Sequence, residues 1–140
     1  MKIPIAADGS PYTKRMLAHL AAHEDWLGSA NQYTVVYCTP ALPPRAKAYF
    51  DRETLRSHSE SELEKVFKAI RAFFKRHHME LAFIGKTGPA AEVIGALSDA
   101  GKFDLLVMGS HGHGALGSLR VGSVVTKVMA SCKTPPLIVR

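Results

Sequence analysis

Five short apolar runs, separated by stretches with helical spacing, set the strongest constraint on how these 140 residues can fold. The runs occupy residues 3–7, 33–38, 81–84, 105–108 and 137–139. They read as near-continuous apolar segments, so each expects cover on both faces. A parallel sheet between two layers of helices meets that demand. The intervening segments supply the helices. After the turn Asp8-Gly9, Ser10 and Pro11 suit a helix N-cap and first helical position. Met16, Leu17, Leu20, Ala21 and Leu27 then recur at helical spacing up to Gly28, which is expected to tolerate a left-handed terminus. Pro40, Pro43 and Pro44 impose a loop of roughly ten residues. Over 51–77, Leu55, Leu63, Val66, Phe67, Ile70, Phe73 and Phe74 line one stripe, with charged residues mostly opposite. Shorter helices are expected over 89–100, stopping at Gly101, and over 123–132. The pattern predicts one doubly wound α/β domain spanning residues 1–140. Ligands of such sheets lie beyond the carboxyl ends of the strands, where strand order reverses. The turns after Ala7, Cys38 and Met108 are therefore the places to search.

A chain of this length with 46% hydrophobic residues can bury one sizeable core. No apolar run is long enough to span a membrane. The acidic Asp8 arrives too early for a secretory signal, which leaves the cytoplasm as the expected compartment. Cys38 and Cys132 belong to no metal or redox spacing and read as two reduced core thiols. The net charge of +6 points to anionic partners without choosing among them.

The choice comes from residues 109–123, where five glycines, Gly109, Gly112, Gly114, Gly117 and Gly122, lie between the fourth strand and the last helix. Glycine admits close approach of an anion to backbone N–H groups, and a helix N-terminus adds unsatisfied donors and a positive dipole end. The charge agrees: residues 105–140 hold four basic residues, Arg120, Lys127, Lys133 and Arg140, and no acid, giving +4. Phosphate binding is the natural use of such a segment.

Competing readings fail on particular residues. Residues 112–117 match the G-x-G-x-x-G dinucleotide pattern, yet no acid follows Asp104 to hold a ribose about twenty positions on. The Gly-Lys pairs at 85–86 and 101–102 lack the hydroxyl and glycine frame of a Walker loop. His111, His113, His77 and His78 have no neighbouring cysteine or carboxylate at ligand spacing, so no metal site is expected. Ser110 and Ser123 lack the G-x-S-x-G frame of a nucleophile elbow. Nucleic acid ranks last as a partner, because residues 105–140 carry no aromatic for base stacking.

The spacing Gly109, two residues, Gly112, nine residues, Gly122-Ser123 resembles the nucleotide-binding signature of the universal stress protein family, G-x-x-G-x9-G-[ST]. Residues 7–10, 88–94 and 104–112 resemble, in order, that family's first-strand turn, third-helix entry and fourth strand with its loop. The resemblance covers the whole chain. It implies a Rossmann-like five-stranded sheet of order 3-2-1-4-5 and an adenine nucleotide, ATP first, with or without Mg2+, across strands one, two and four. It further implies that Asp8 holds the ribose or adenine side and that backbone around Cys38 reads the adenine edge. Gly109, Gly112, Gly122 and Ser123 would wrap ribose and phosphates, with Ala6, Met108, His111 and Val124 completing the contact set. Arg120 inside the loop would pair with terminal phosphates. The last strand, at a sheet edge, would pair with its copy in a homodimer built on residues 135–140. These expectations describe a nucleotide-binding regulatory protein with at most slow ATP hydrolysis. The alternative, a small adenylyl- or phosphoryl-transferring enzyme, needs a catalytic constellation that the sequence does not display.

Overall fold

A computed structural model describes residues 1–39, 41, 52–112 and 121–140, and the side chains there except those of 52, 54–59, 62 and 63. The side chains of the stripe positions Leu55 and Leu63 are thus not described, and Pro40, Pro43, Pro44, His113, Gly114, Gly117 and Arg120 lie outside the described residues. The elements run β1 (Lys2–Ala6), α1 (Pro11–Ala22), α2 (Glu24–Leu27), β2 (Gln32–Thr39), α3 (Arg52–Arg76), β3 (Glu80–Thr87), α4 (Ala90–Ala100), β4 (Leu106–Gly109), α5 (Ser123–Ser131) and β5 (Pro136–Val139).

All pairings are parallel, in the order β3-β2-β1-β4-β5, so chain direction across the sheet reverses between β1 and β4. Right-handed crossovers then place the helices before and after that reversal on opposite faces. The two cores follow that division. Met16, Leu17 and Leu20 of α1, with Phe67, Ile70 and Phe74 of α3, cover Ile3, Ile5, Tyr33, Val35 and Val107. Ala91 and Ile94 of α4, with Val125 and Val128 of α5, cover Val36, Leu106 and Met108. Burial on both faces accounts for the unbroken apolar runs.

Pro4 sits in the central strand, where a missing N–H is usually harmful. Strand alternation sends the Lys2 N–H to Asp104 Oδ2 at 2.6 Å and the Ala7 N–H to the Val36 carbonyl at 2.9 Å. The Pro4 nitrogen therefore faces the β4 side, ahead of that ladder's first pair, Ile5↔Val107.

The structure departs from the sequence expectations in three places. The first helix breaks at His23 (φ −129°, ψ 45°), whose carbonyl accepts the Leu27 N–H at 2.8 Å and starts α2, bringing Leu27 into full burial. Gly28 is extended (φ −88°, ψ −156°) rather than left-handed; glycine fits there because a Cβ would collide with the Glu24 carbonyl oxygen. β3 is eight residues long, pairing from Gln32↔Glu80 to Thr39↔Thr87, because an edge strand exposes one side and tolerates Gly85, Lys86 and Thr87.

Candidate functional site

At the carboxyl end of β1 the chain turns through Asp8, Gly9 and Ser10 into α1 with Pro11 at its first position. Gly9 is left-handed at φ 76°, and a Cβ there would lie 2.6 Å from Val66 Cγ2, so no larger residue fits easily. Asp8 Oδ1 accepts the Ser10 N–H at 2.9 Å and the Thr13 hydroxyl at 3.0 Å. Thr13 Oγ1 in turn accepts the N–H groups of Asp8 at 3.2 Å and Gly9 at 3.1 Å. In the fold one carboxylate oxygen belongs to the turn, while Oδ2 is directed toward Gly112, 2.7 Å from where a Cβ would stand.

The carboxyl end of β4 lies beside it, Ala6 being paired with Met108. The three signature glycines are required by close approach, each to a different neighbour. A Cβ at Gly109 would meet Tyr12 Cβ at 2.8 Å, one at Gly112 would meet Asp8, and one at Gly122 would meet the Ser110 carbonyl at 3.1 Å and His111 Cα at 3.3 Å. The Gly122 N–H bonds the Ser110 carbonyl at 2.8 Å, which ties the residue before α5 to the end of β4. The donors that α5 offers come next. Its first intrahelical bond joins the Thr126 N–H to the Gly122 carbonyl at 3.0 Å, so the N–H groups of Ser123, Val124 and Val125 precede the ladder. Ser123 and Val124 are exposed, and no acid stands in that first turn.

His111 is half-buried, its ring 5.2 Å from that of Tyr12 and its Nδ1 3.1 Å from Ser110 Oγ; Arg15 lies over the other ring of the pair, 5.1 Å from the Tyr12 centroid. The Met108 side chain is buried in the core, leaving its backbone as the group it can present, and Ala6 packs partly against the same cluster. The Val36 carbonyl accepts the N–H of Ala7, just past β1, whereas the Thr39 carbonyl accepts that of Gly88, just past β3. By alternation the Cys38 N–H and C=O face the β1 side, past the last β1–β2 pair, Ala6↔Val36. Burial pushes the Cys38 thiol up from its ordinary value, which keeps it neutral.

All ten expected contact residues thus border the β1, β2 and β4 ends. The sequence reading missed Tyr12, Thr13 and Arg15, for which the only signal was a hydroxyl and a ring in the first turn of a helix that follows an acidic turn. Other expected features lie elsewhere. His77 bonds Glu24 Oε1 at 2.8 Å and packs on Phe73 at the amino end of the strands, away from His111. Among the described residues no three His, Cys, Asp or Glu side chains are grouped to hold a metal. The two cysteines are free and half-buried rather than core residues. Cys132 donates to Asp99 Oδ1 at 3.3 Å, and desolvation with that carboxylate raises its pKa. No described helix is long and apolar enough to cross a membrane.

The universal stress protein family model matches residues 1–140. The chain is 33% identical over 138 residues to the universal stress protein in the QAH/OAS sulfhydrylase 3′ region of Thermus aquaticus, covering 99% of this chain and 97% of that one. Among solved structures, hypothetical protein MJ0577 superposes with a TM-score of 0.84 at 20% identity, over 99% of this chain and 94% of that one. The universal stress protein from Archaeoglobus fulgidus in complex with dAMP superposes with a TM-score of 0.67 at 16% identity, over 100% and 98% of the two chains. The parallel sheet of order β3-β2-β1-β4-β5 and the family match over the full length place this chain in the universal stress protein family.

Proposed function

We propose that this chain is a cytoplasmic regulatory protein that binds an adenine nucleotide, ATP first, in the crevice between the β1 and β4 turns. One observation carries the reading: Gly112 lies against Asp8 Oδ2, so a carboxylate of the β1 turn stands beside the glycine segment that follows β4, at the reversal of strand order. The chemistry of the parts fits the ligand. A carboxylate accepts from ribose hydroxyls or an exocyclic amine, the outward-facing backbone of Cys38 suits an adenine edge, and the first-turn N–H groups of α5 suit phosphate oxygens. The dAMP carried by the Archaeoglobus fulgidus relative supports the same ligand class. Proposed contacts are Asp8, the backbone of Ala6, Cys38 and Met108, the glycines 109, 112 and 122, and His111, Ser123 and Val124. Mg2+ would enter with the phosphates. Any hydrolysis of the bound nucleotide is at most slow in this reading.

ATP should raise the unfolding temperature by mass action, and GTP should raise it less, since in this reading the Cys38 N–H and C=O pair with an adenine edge. An unfolding temperature unchanged by millimolar ATP would remove the nucleotide reading. The exposed outer edge of β5 (Pro136–Val139) supports a homodimer in which the strand pairs with its copy. Light scattering that finds monomers at tens of micromolar would exclude that assembly.

A further inference from the structure

We propose that Thr13 is a positioning residue of the nucleotide site, its hydroxyl orienting the Asp8 carboxylate toward Gly112 and the ligand; the inference rests on the adenine-nucleotide reading above. Thr13 is buried in the first turn of α1, with 5% of its surface exposed. A hydroxyl has one proton and two acceptor lone pairs, and Thr13 engages them all. It accepts the N–H groups of Asp8 and Gly9 and gives its proton to Asp8 Oδ1 at 3.0 Å. The Ser10 N–H approaches the same oxygen at 2.9 Å. Two donors converging on Oδ1 from different directions fix the carboxylate plane, because rotation would break at least one of them.

Tying the turn together would require only the two backbone bonds that Thr13 accepts. The third bond does something more, since it orients a charged group whose other oxygen borders the crevice. The usual capping device is not employed, as Ser10 makes no side-chain cap bond and its buried Oγ has no hydrogen-bond partner among the described residues. Asp8 and Thr13 bond instead to N–H groups that precede the helix, those of Asp8, Gly9 and Ser10, and the carboxylate is oriented before the ligand arrives. Such preorganisation is how a second layer of residues contributes to binding without touching ligand.

Isothermal titration of the full-length protein with ATP tests this across wild type, Thr13→Val, Thr13→Ser, Asp8→Asn and the Asp8→Asn/Thr13→Val double variant. Valine keeps the shape and removes the hydroxyl, so Thr13→Val should weaken ATP roughly tenfold, the scale of one charge-assisted hydrogen bond. Thr13→Ser restores the hydroxyl and should bind within about twofold of wild type. In the Asp8→Asn background Thr13→Val should add no further loss, because the group it orients is already changed. Wild-type affinity in Thr13→Val, or an equal loss in both backgrounds, would overturn the positioning role while leaving the nucleotide site standing. Failure of the wild type to bind ATP would remove the site and this inference together, so the two failures are distinguishable. Should the valine variant not fold, Thr13→Ala takes its place in the same cycle.

Discussion

At the β1 turn, side chains do the tying: Asp8, Thr13 and the backbone of Ser10 are joined by hydrogen bonds of 2.9 to 3.2 Å. At the β4 turn beside it glycine does the work, with the Gly122 N–H bonded to the Ser110 carbonyl and each signature glycine leaving room for a neighbour. The difference teaches a division of labour. A side-chain turn can aim one charged group, whereas a glycine turn exposes a row of N–H donors that a side chain would cover. The two meet where Gly112 lies against Asp8 and where Tyr12 packs on Gly109 and His111.

Substitutions that damage the backbone turn should have the largest effect. Gly122→Val places a branched side chain against Ser110 and His111, where even a Cβ finds 3.1 and 3.3 Å, and should abolish ATP binding in a folded protein. Calorimetry showing normal affinity there would detach the glycine turn from the site. Gly112→Ala attacks one contact between the turns, since its methyl would sit 2.7 Å from Asp8 Oδ2. ATP should bind roughly a hundredfold more weakly, and combining it with Asp8→Asn should give much less than the sum of the two losses. Additive losses would mean that the turns act independently.

Gly9→Ala should show up in stability more than in affinity. It forces φ 76° on a residue with a Cβ and presses on Val66, so unfolding should become easier by about 1–3 kcal/mol. A melting temperature equal to wild type would show that the turn relaxes freely.

The smallest effect lies at the opposite end of the sheet, where Asp99 gathers the start of β5. Desolvation works to raise the Asp99 pKa, but donation from Cys132, Lys133 and Thr134 outweighs it and holds the carboxyl below its ordinary value. A depressed carboxylate contributes stability that is complete above the unfolded-state pKa and is lost as pH falls through the folded-state pKa. Asp99→Ala should therefore flatten the acid limb of the stability profile and leave ATP affinity unchanged. A parallel acid limb in the variant would show that this junction carries none of the pH dependence.

Much of this arrangement is legible in the sequence, for identifiable reasons. The strands stand out because burial on both faces demands uninterrupted apolar runs, and the first helix because Met16, Leu17 and Leu20 repeat at helical spacing on a buried face. The break at His23 is invisible, since Leu27 continues the apolar pattern while its burial turns the backbone. Strand order comes only through the family likeness, as apolar periodicity says nothing about which strands are neighbours. The glycine spacing marks the site, yet its physical cause does not show: close approach at Gly109, Gly112 and Gly122 depends on Tyr12, Asp8 and Ser110, which only the fold brings near. Thr13 is hidden for the same reason, because a first-turn hydroxyl looks alike whether it caps a helix or aims a carboxylate.

Backbone amide NMR during titration with ATP reads both turns at once. Shifts should concentrate at Asp8, Gly9, Cys38, Gly109, Gly112, Ser123 and Val124, with His77, Asp99 and Thr134 at the far end of the sheet unmoved. Saturable shifts confined to that far end, or no shifts at millimolar ATP, would contradict an adenine-nucleotide site between the two turns.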